Sequence, residues 1–252
     1  MSDSTVDNLF SVKGKRALVT GGSTGLGRAM AQALVDAGAK VAINDVSERV
    51  YLVAESMGST PLHADLADRS QALALVDRAV GELGGLDILV NNAGVQRRHP
   101  AEEFPIDDFD LVLSVNLHAV WILCQAAGRH MLAQGSGKIV NIASLLSFFG
   151  GTTVSAYAAS KGAVAQLTKA LSNEWAAKGI NVNALAPGYM DTELNAGLVG
   201  NEQREPLILA RIPAGRWGRP NDLMGALIFL TSAASDYVHG AILPVDGGYL
   251  GR

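Results

Sequence analysis

The segment Thr20-Gly21-Gly22-Ser23-Thr24-Gly25-Leu26-Gly27 constrains this chain more than any other. It follows Arg16-Ala17-Leu18-Val19, a short apolar run of the kind that forms a buried parallel strand. It precedes Arg28-Ala29-Met30-Ala31-Gln32-Ala33-Leu34-Val35, which has helical composition. Strand, glycine turn and helix in that order predict a βαβ unit that binds a dinucleotide. The glycines let the backbone approach a pyrophosphate, and the helix N-terminus attracts its charge. The spacing is G-x-x-x-G-x-G rather than the commoner G-x-G-x-x-G, and a plain glycine-rich turn is the competing reading.

The same alternation runs along the rest of the chain. Strands are expected at 15–20, 40–45, 60–64, 87–91, 137–143, 180–186 and 239–245. Helices are expected at 25–38, 47–57, 68–84, 106–134, 154–178 and 220–233. This is an α/β pattern: one doubly wound parallel sheet of about seven strands, helices on both faces and right-handed crossovers. No linker interrupts it, so residues 1–252 read as a single domain with an N-terminal arm at 1–12. Residues 189–216 lack periodicity and carry Gly197, Gly200, Pro206, Pro213 and Gly215. A stretch of that kind in a compact domain is expected to be a lid over a binding site.

Hydrophobic content of 48% with 28 glycines suits a buried parallel sheet with tight turns. The net charge of −4 and the lack of a basic run argue against nucleic acid as a partner. The single cysteine, Cys124, reads as a small apolar filler. The five histidines show no metal-ligand spacing, so no metal is expected. No apolar run reaches the roughly 18 residues of a membrane span, and the expectation is no membrane. The polar, acidic N-terminus is unlike a secretory signal, which predicts a cytoplasmic protein.

Four features carry chemistry. Tyr157 and Lys161 lie one helical turn apart on one face, where an ammonium is expected to lower the pKa of the phenol and prepare it for acid–base work. Asp45 ends the second strand, 18 residues past the last glycine. A carboxylate there accepts hydrogen bonds from ribose hydroxyls and repels a 2′-phosphate, so NAD is expected over NADP. Its other reading is a helix cap, a role Ser47 fills equally well. Ser144 closes the strand at 137–143, at the strand ends where such sheets bind ligands. The Arg97-Arg98 pair follows Asn91-Asn92-Ala93-Gly94 and can clamp a substrate carboxylate or lie solvated on the surface.

Together these residues resemble the short-chain dehydrogenase/reductase family nearly end to end. The glycine motif, Asn91-Asn92-Ala93-Gly94, and the ordered set Asn116, Ser144, Tyr157 and Lys161 match its motifs. The resemblance implies a Rossmann fold and a catalytic tetrad. Tyr157 would be the acid or base, and Lys161 would hold the nicotinamide ribose. Ser144 would orient the reacting oxygen, and Asn116 would anchor a water. It implies cofactor contacts at Gly21, Ser23, Thr24, Gly25, Leu26, Gly27, Asp45, Asp65, Leu66, Asn92, Ala93, Gly94, Tyr157, Lys161, Pro187, Gly188, Met190 and Thr192. Substrate contacts would be Arg97, Arg98, Ser144 and Tyr157, with Arg204, Arg211 and Arg216 as further candidates. The family also implies a homotetramer.

The second half, including Arg211-Ile212-Pro213-Ala214-Gly215-Arg216-Trp217-Gly218, resembles the 2-dehydro-3-deoxy-D-gluconate 5-dehydrogenase subgroup. That implies NAD-dependent interconversion of a ketone and a secondary alcohol on a keto-deoxy sugar acid. The competing expectations are a 3-oxoacyl-thioester reductase and a non-catalytic cofactor-sensing protein on the same scaffold.

Overall fold

A computed structural model of the chain describes residues 6–252, apart from the side chain of Leu194. Residues 1–5 of the expected arm lie outside the described residues. The arm continues as one helical turn, α1 (Val6–Leu9), and Val12 is buried. The elements then run β1 (Arg16–Thr20), α2 (Gly25–Asp36), β2 (Lys40–Asp45), α3 (Arg49–Met57), β3 (Thr60–His63), α4 (Arg69–Leu83) and β4 (Ile88–Asn91). The second half runs α5 (Ile106–Leu113), α6 (Ala119–Gln134), β5 (Gly137–Ile142), α7 (Ser155–Trp175), β6 (Ile180–Pro187), α8 (Glu205–Leu209), α9 (Met224–Thr231) and β7 (Ile242–Val245).

The seven strands form one parallel sheet in the order β3-β2-β1-β4-β5-β6-β7. Alternation along each strand feeds two cores. Leu18, Ala42, Leu89 and Ile139 point to the face covered by α4, α6 and α7. Val19, Ile43, Ile88 and Val140 point to the face covered by α2, α3 and α9. Each fully buried leucine or isoleucine contributes about 1.5–3 kcal/mol relative to exposure. Cys124 sits in the first core, its thiol pushed up to about 12 by burial, and accepts a hydrogen bond from Asn91.

Three differences from the expected elements matter. The expected single helix at 106–134 is broken by a π turn at Ser114–His118, between α5 and α6. Apolar periodicity cannot reveal an inserted residue of this kind, and such turns favour functional sites. That whole stretch, Ile106–Gln134, also has the length and hydropathy of a membrane span, contrary to expectation. Its most apolar window is 56% buried inside the protein, as for a core helix. Finally, the segment at 189–216 is packed rather than structureless. Leu198, Ile208 and Ile212 join Leu145 and Tyr249 in a third apolar cluster, and Trp217 Nε1 donates to Glu205 Oε1 at 2.6 Å.

Candidate active site

The strand order reverses between β1 and β4, which opens a crevice at the C-terminal ends of the strands. A cleft of about 440 Å³ occupies it. Gly21, Thr24, Gly25, Leu26, Gly27, Asp45, Asp65, Leu66, Asn92, Ala93, Gly94, Tyr157, Lys161 and Thr192 all line it. Pro187, Gly188 and Met190 line a neighbouring cleft, and Ser23 lines neither.

The glycine turn is built by close approach. A Cβ on Gly27 would overlap the carbonyl oxygen of Gly21 and the amide of Asn92, so no other residue fits without a shift. Gly21 holds φ +62, the left-handed region that side chains avoid. Asn92 braces the turn, donating through Nδ2 to the carbonyls of Thr20 at 2.9 Å and Gly21 at 3.1 Å. Thr24 begins α2 without a side-chain cap, so no hydroxyl competes for the N–H groups of its first turn. Asp45 accepts from Ser23 N at 3.2 Å and from Ser47 N at 3.0 Å. The carboxylate thus both shapes the turn before α3 and borders the cleft. The residues present fit a dinucleotide: a glycine-lined approach, an uncapped helix start and an acid at the far strand end.

Tyr157 and Lys161 rise from α7 on one face. Lys161 Nζ donates to the carbonyl oxygen of Ile142 at 2.6 Å, and burial lowers its pKa to about 8. It lies 5.6 Å from the centroid of the Tyr157 ring. The expected depression of the phenol does not appear. Burial raises the Tyr157 pKa, and the hydroxyl of Ser144 and the charge of Arg98 pull only partly against it. The physical reason is that removing a phenolate from water outweighs the partners it gains here.

Ser144 accepts from Leu146 N at 3.1 Å, while its own N–H donates to Ser147 Oγ at 3.3 Å. Ser147 Oγ in turn donates to the Lys161 carbonyl at 2.7 Å, which ties the Ser144 turn to α7. Asn116 is fully buried in the π turn. Its side chain pairs with Val95 like a strand neighbour, accepting from Val95 N at 2.8 Å and donating to Val95 O at 2.9 Å. It also reaches Ser160 Oγ at 3.3 Å.

A second cleft of about 290 Å³ meets the first. Leu26, Ile142, Tyr157 and Thr192 line both. Ser144 and three arginines, Arg98, Arg204 and Arg211, line the second, and no carboxylate among the described residues does. Burial and the charge of Arg204 both lower the pKa of Arg98. Arg211 lies 4.4 Å above the ring centroid of Tyr249. Arg97 turns elsewhere: its Nε donates to Asp108 Oδ1 at 3.2 Å. Arg216 pairs with Asp222 through both nitrogens, at 2.7 and 3.0 Å.

Ser147, Ser160 and Asp108 carry no local sequence signal as positioning groups. Their bonds to Lys161, Asn116 and His99 span 9 to 44 residues, and only the fold brings these partners together.

Residues 21–250 match the family described as enoyl-(acyl carrier protein) reductase. The chain is 53% identical to 2-dehydro-3-deoxy-D-gluconate 5-dehydrogenase of Bacillus subtilis, over 96% of this chain and 97% of that one. It is 50% identical to the enzyme of the same name from Escherichia coli, over 96% and 98% of the two chains. A gluconate 5-dehydrogenase from Burkholderia cenocepacia, solved in complex with NADP and tartrate, superposes with a TM-score of 0.93. That protein is 44% identical, and the match covers 98% of this chain and all of the other.

Proposed function

This chain belongs to the short-chain dehydrogenase/reductase family, and we propose that it works there as an NAD-dependent dehydrogenase of a keto-deoxy sugar acid. It is an oxidoreductase that interconverts a ketone and a secondary alcohol of a sugar acid. The observation that carries the finer reading is the second cleft: three guanidinium groups, no acid among the described residues, and Tyr157 at its junction with the dinucleotide cleft.

When bound, the nicotinamide supplies or accepts the hydride. Tyr157 holds the proton at the reacting oxygen, donating it during reduction and taking it during oxidation. Ser144, beside that hydroxyl, orients the same oxygen and offsets charge developing on it. Lys161 keeps a positive charge next to the phenol, held in place by the carbonyl of Ile142. Asn116 clasps Val95 and so fixes the loop that leaves Asn92-Ala93-Gly94. Arg98 grips the carboxylate, and Arg204 adds a second positive charge that a bound acid neutralises.

The preference for NAD rests on Asp45. Lys161 is the one cation among the described residues lining the first cleft, so no arginine there compensates a 2′-phosphate. The Burkholderia relative was solved with NADP, which makes the preference of this chain a matter for direct measurement. A 3-oxoacyl-thioester reductase would need a long apolar cleft, and three arginines oppose that. Turnover measured with the sugar acid and NAD, and with a 3-oxoacyl thioester and NADPH, separates the two. We expect activity with the first pair; activity confined to the second would overturn the proposal.

A further inference from the structure

We propose that Asp108 is a positioning residue that aims Arg98 into the substrate cleft, a role that rests on the reading of Arg98 as the carboxylate contact. Asp108 lies in the first turn of α5, outside both clefts. Its two oxygens hold the two residues that flank Arg98. Arg97 Nε donates to Oδ1 at 3.2 Å, and His99 Nε2 lies 2.7 Å from Oδ2, carrying its proton on that nitrogen. One carboxylate therefore fixes both neighbours on the same side of the chain. Neither of these neighbours lines the second cleft, whereas the residue between them, Arg98, does.

Little else holds Arg98. Among the described residues its side chain makes one hydrogen bond, Nη2 to Gln96 Oε1 at 3.2 Å, between exposed groups. A long flexible arginine with so few partners owes its direction to its backbone, and Asp108 sets that backbone. A second tie runs to the catalytic helix. His99 N donates to Thr153 O at 3.0 Å, and Thr153 holds φ +65, a rare conformation for a β-branched residue. Thr153 lies just before α7, which carries Tyr157. The segment from Arg97 to His99 is thus pinned to α5 on one side and to the start of α7 on the other. Phe104 presses edge-on against the His99 ring at 5.0 Å and closes the clamp. The distance between the carboxylate grip and the proton donor is held by this pair of ties.

The test is steady-state kinetics on the full-length enzyme with NAD, using the keto-deoxy sugar acid and its neutral carboxamide. Four forms are compared: wild type, Asp108→Asn, Arg98→Ala and the double variant. We expect Arg98→Ala to raise KM for the acid by about 100-fold, as for a charge pair enclosed in the complex that loses one partner. Asp108→Asn should raise it by roughly 10-fold or more, with kcat and the KM for NAD nearly unchanged and the carboxamide unaffected. In the Arg98→Ala background, Asp108→Asn should add nothing, because its effect passes through Arg98.

An Asp108→Asn effect that is equal on acid and carboxamide, or that adds fully to Arg98→Ala, would show a merely structural aspartate. A selective Arg98→Ala with a silent Asp108→Asn removes the clamp alone. An unselective Arg98→Ala removes the sugar-acid reading and the clamp with it. Should Asp108→Asn fold poorly, Arg97→Gln and His99→Gln each break one tie and should give smaller rises with the same selectivity for the acid. Equal effects on both compounds in those two variants would again overturn the clamp.

Discussion

Lys161 Nζ sits 5.6 Å from the ring centroid of Tyr157 and 2.6 Å from the carbonyl oxygen of Ile142. The ammonium is therefore bonded to the end of β5 while standing beside the phenol. Burial without a carboxylate lowers its pKa from 10.5 to about 8. The folded chain releases this proton more readily than the unfolded one. Below pH 8 the buried charge costs stability, of order 3 kcal/mol. The cost fades as pH rises from about 8 towards 10.5, where the unfolded chain binds more protons and stability rises. Lys161→Met should thus be more stable than wild type below pH 8, with the gap shrinking above it. Denaturant unfolding across that range checks this, and a gap independent of pH would contradict it.

Tyr157 is the expected proton donor and acceptor. Tyr157→Phe keeps the ring and deletes the hydroxyl, so turnover should fall by at least about 10²–10⁴-fold while NADH still binds. Fluorescence titration with NADH, beside the rate, separates loss of chemistry from loss of binding.

Asp45 should favour NAD over NADP. Asp45→Ala removes the negative charge near the adenosine ribose and should narrow the ratio of kcat/KM for the two cofactors. It also frees the N–H groups of Ser23 and Ser47, so a modest loss of stability should accompany the change. Wild type that prefers NADPH at equal concentration would remove Asp45 from this role.

The strands and the dinucleotide crevice were legible because their signals are local. β1 is an apolar run beside glycines, and Asp45 stands at a set distance from Gly27. The π turn around Asn116 was not legible, because one inserted residue leaves the apolar pattern of Ile106–Gln134 intact. Nor was the choice between Arg97 and Arg98. Adjacent identical residues carry the same signal, and only Asp108, eleven positions from Arg97, separates them. The Tyr157 pKa was misjudged for a similar reason: helical spacing reports the neighbour but not the burial.

Assembly is a further expectation. Val120 on α6 and Val164 on α7 are buried within the protomer and offer no surface to a partner. Trp121 on α6 remains 42% exposed, with Leu73 on α4 and Ile106 on α5 at 54% and 69%. Exposed aromatic and aliphatic groups of this kind favour burial against a second copy. We expect a homotetramer with two-fold symmetries by light scattering; a species of the 26.3 kDa chain mass at micromolar concentration would contradict it.

We expect this enzyme to select its substrate by a carboxylate held in the arginine-lined cleft beside Tyr157. The most direct measurement is kcat/KM of the wild-type enzyme, with NAD, for the keto-deoxy sugar acid and for its carboxamide. The acid should be preferred by roughly 30-fold or more, the loss expected when a charge pair enclosed in the complex lacks one partner. Equal values for the two compounds, or a preference for the carboxamide, would contradict it.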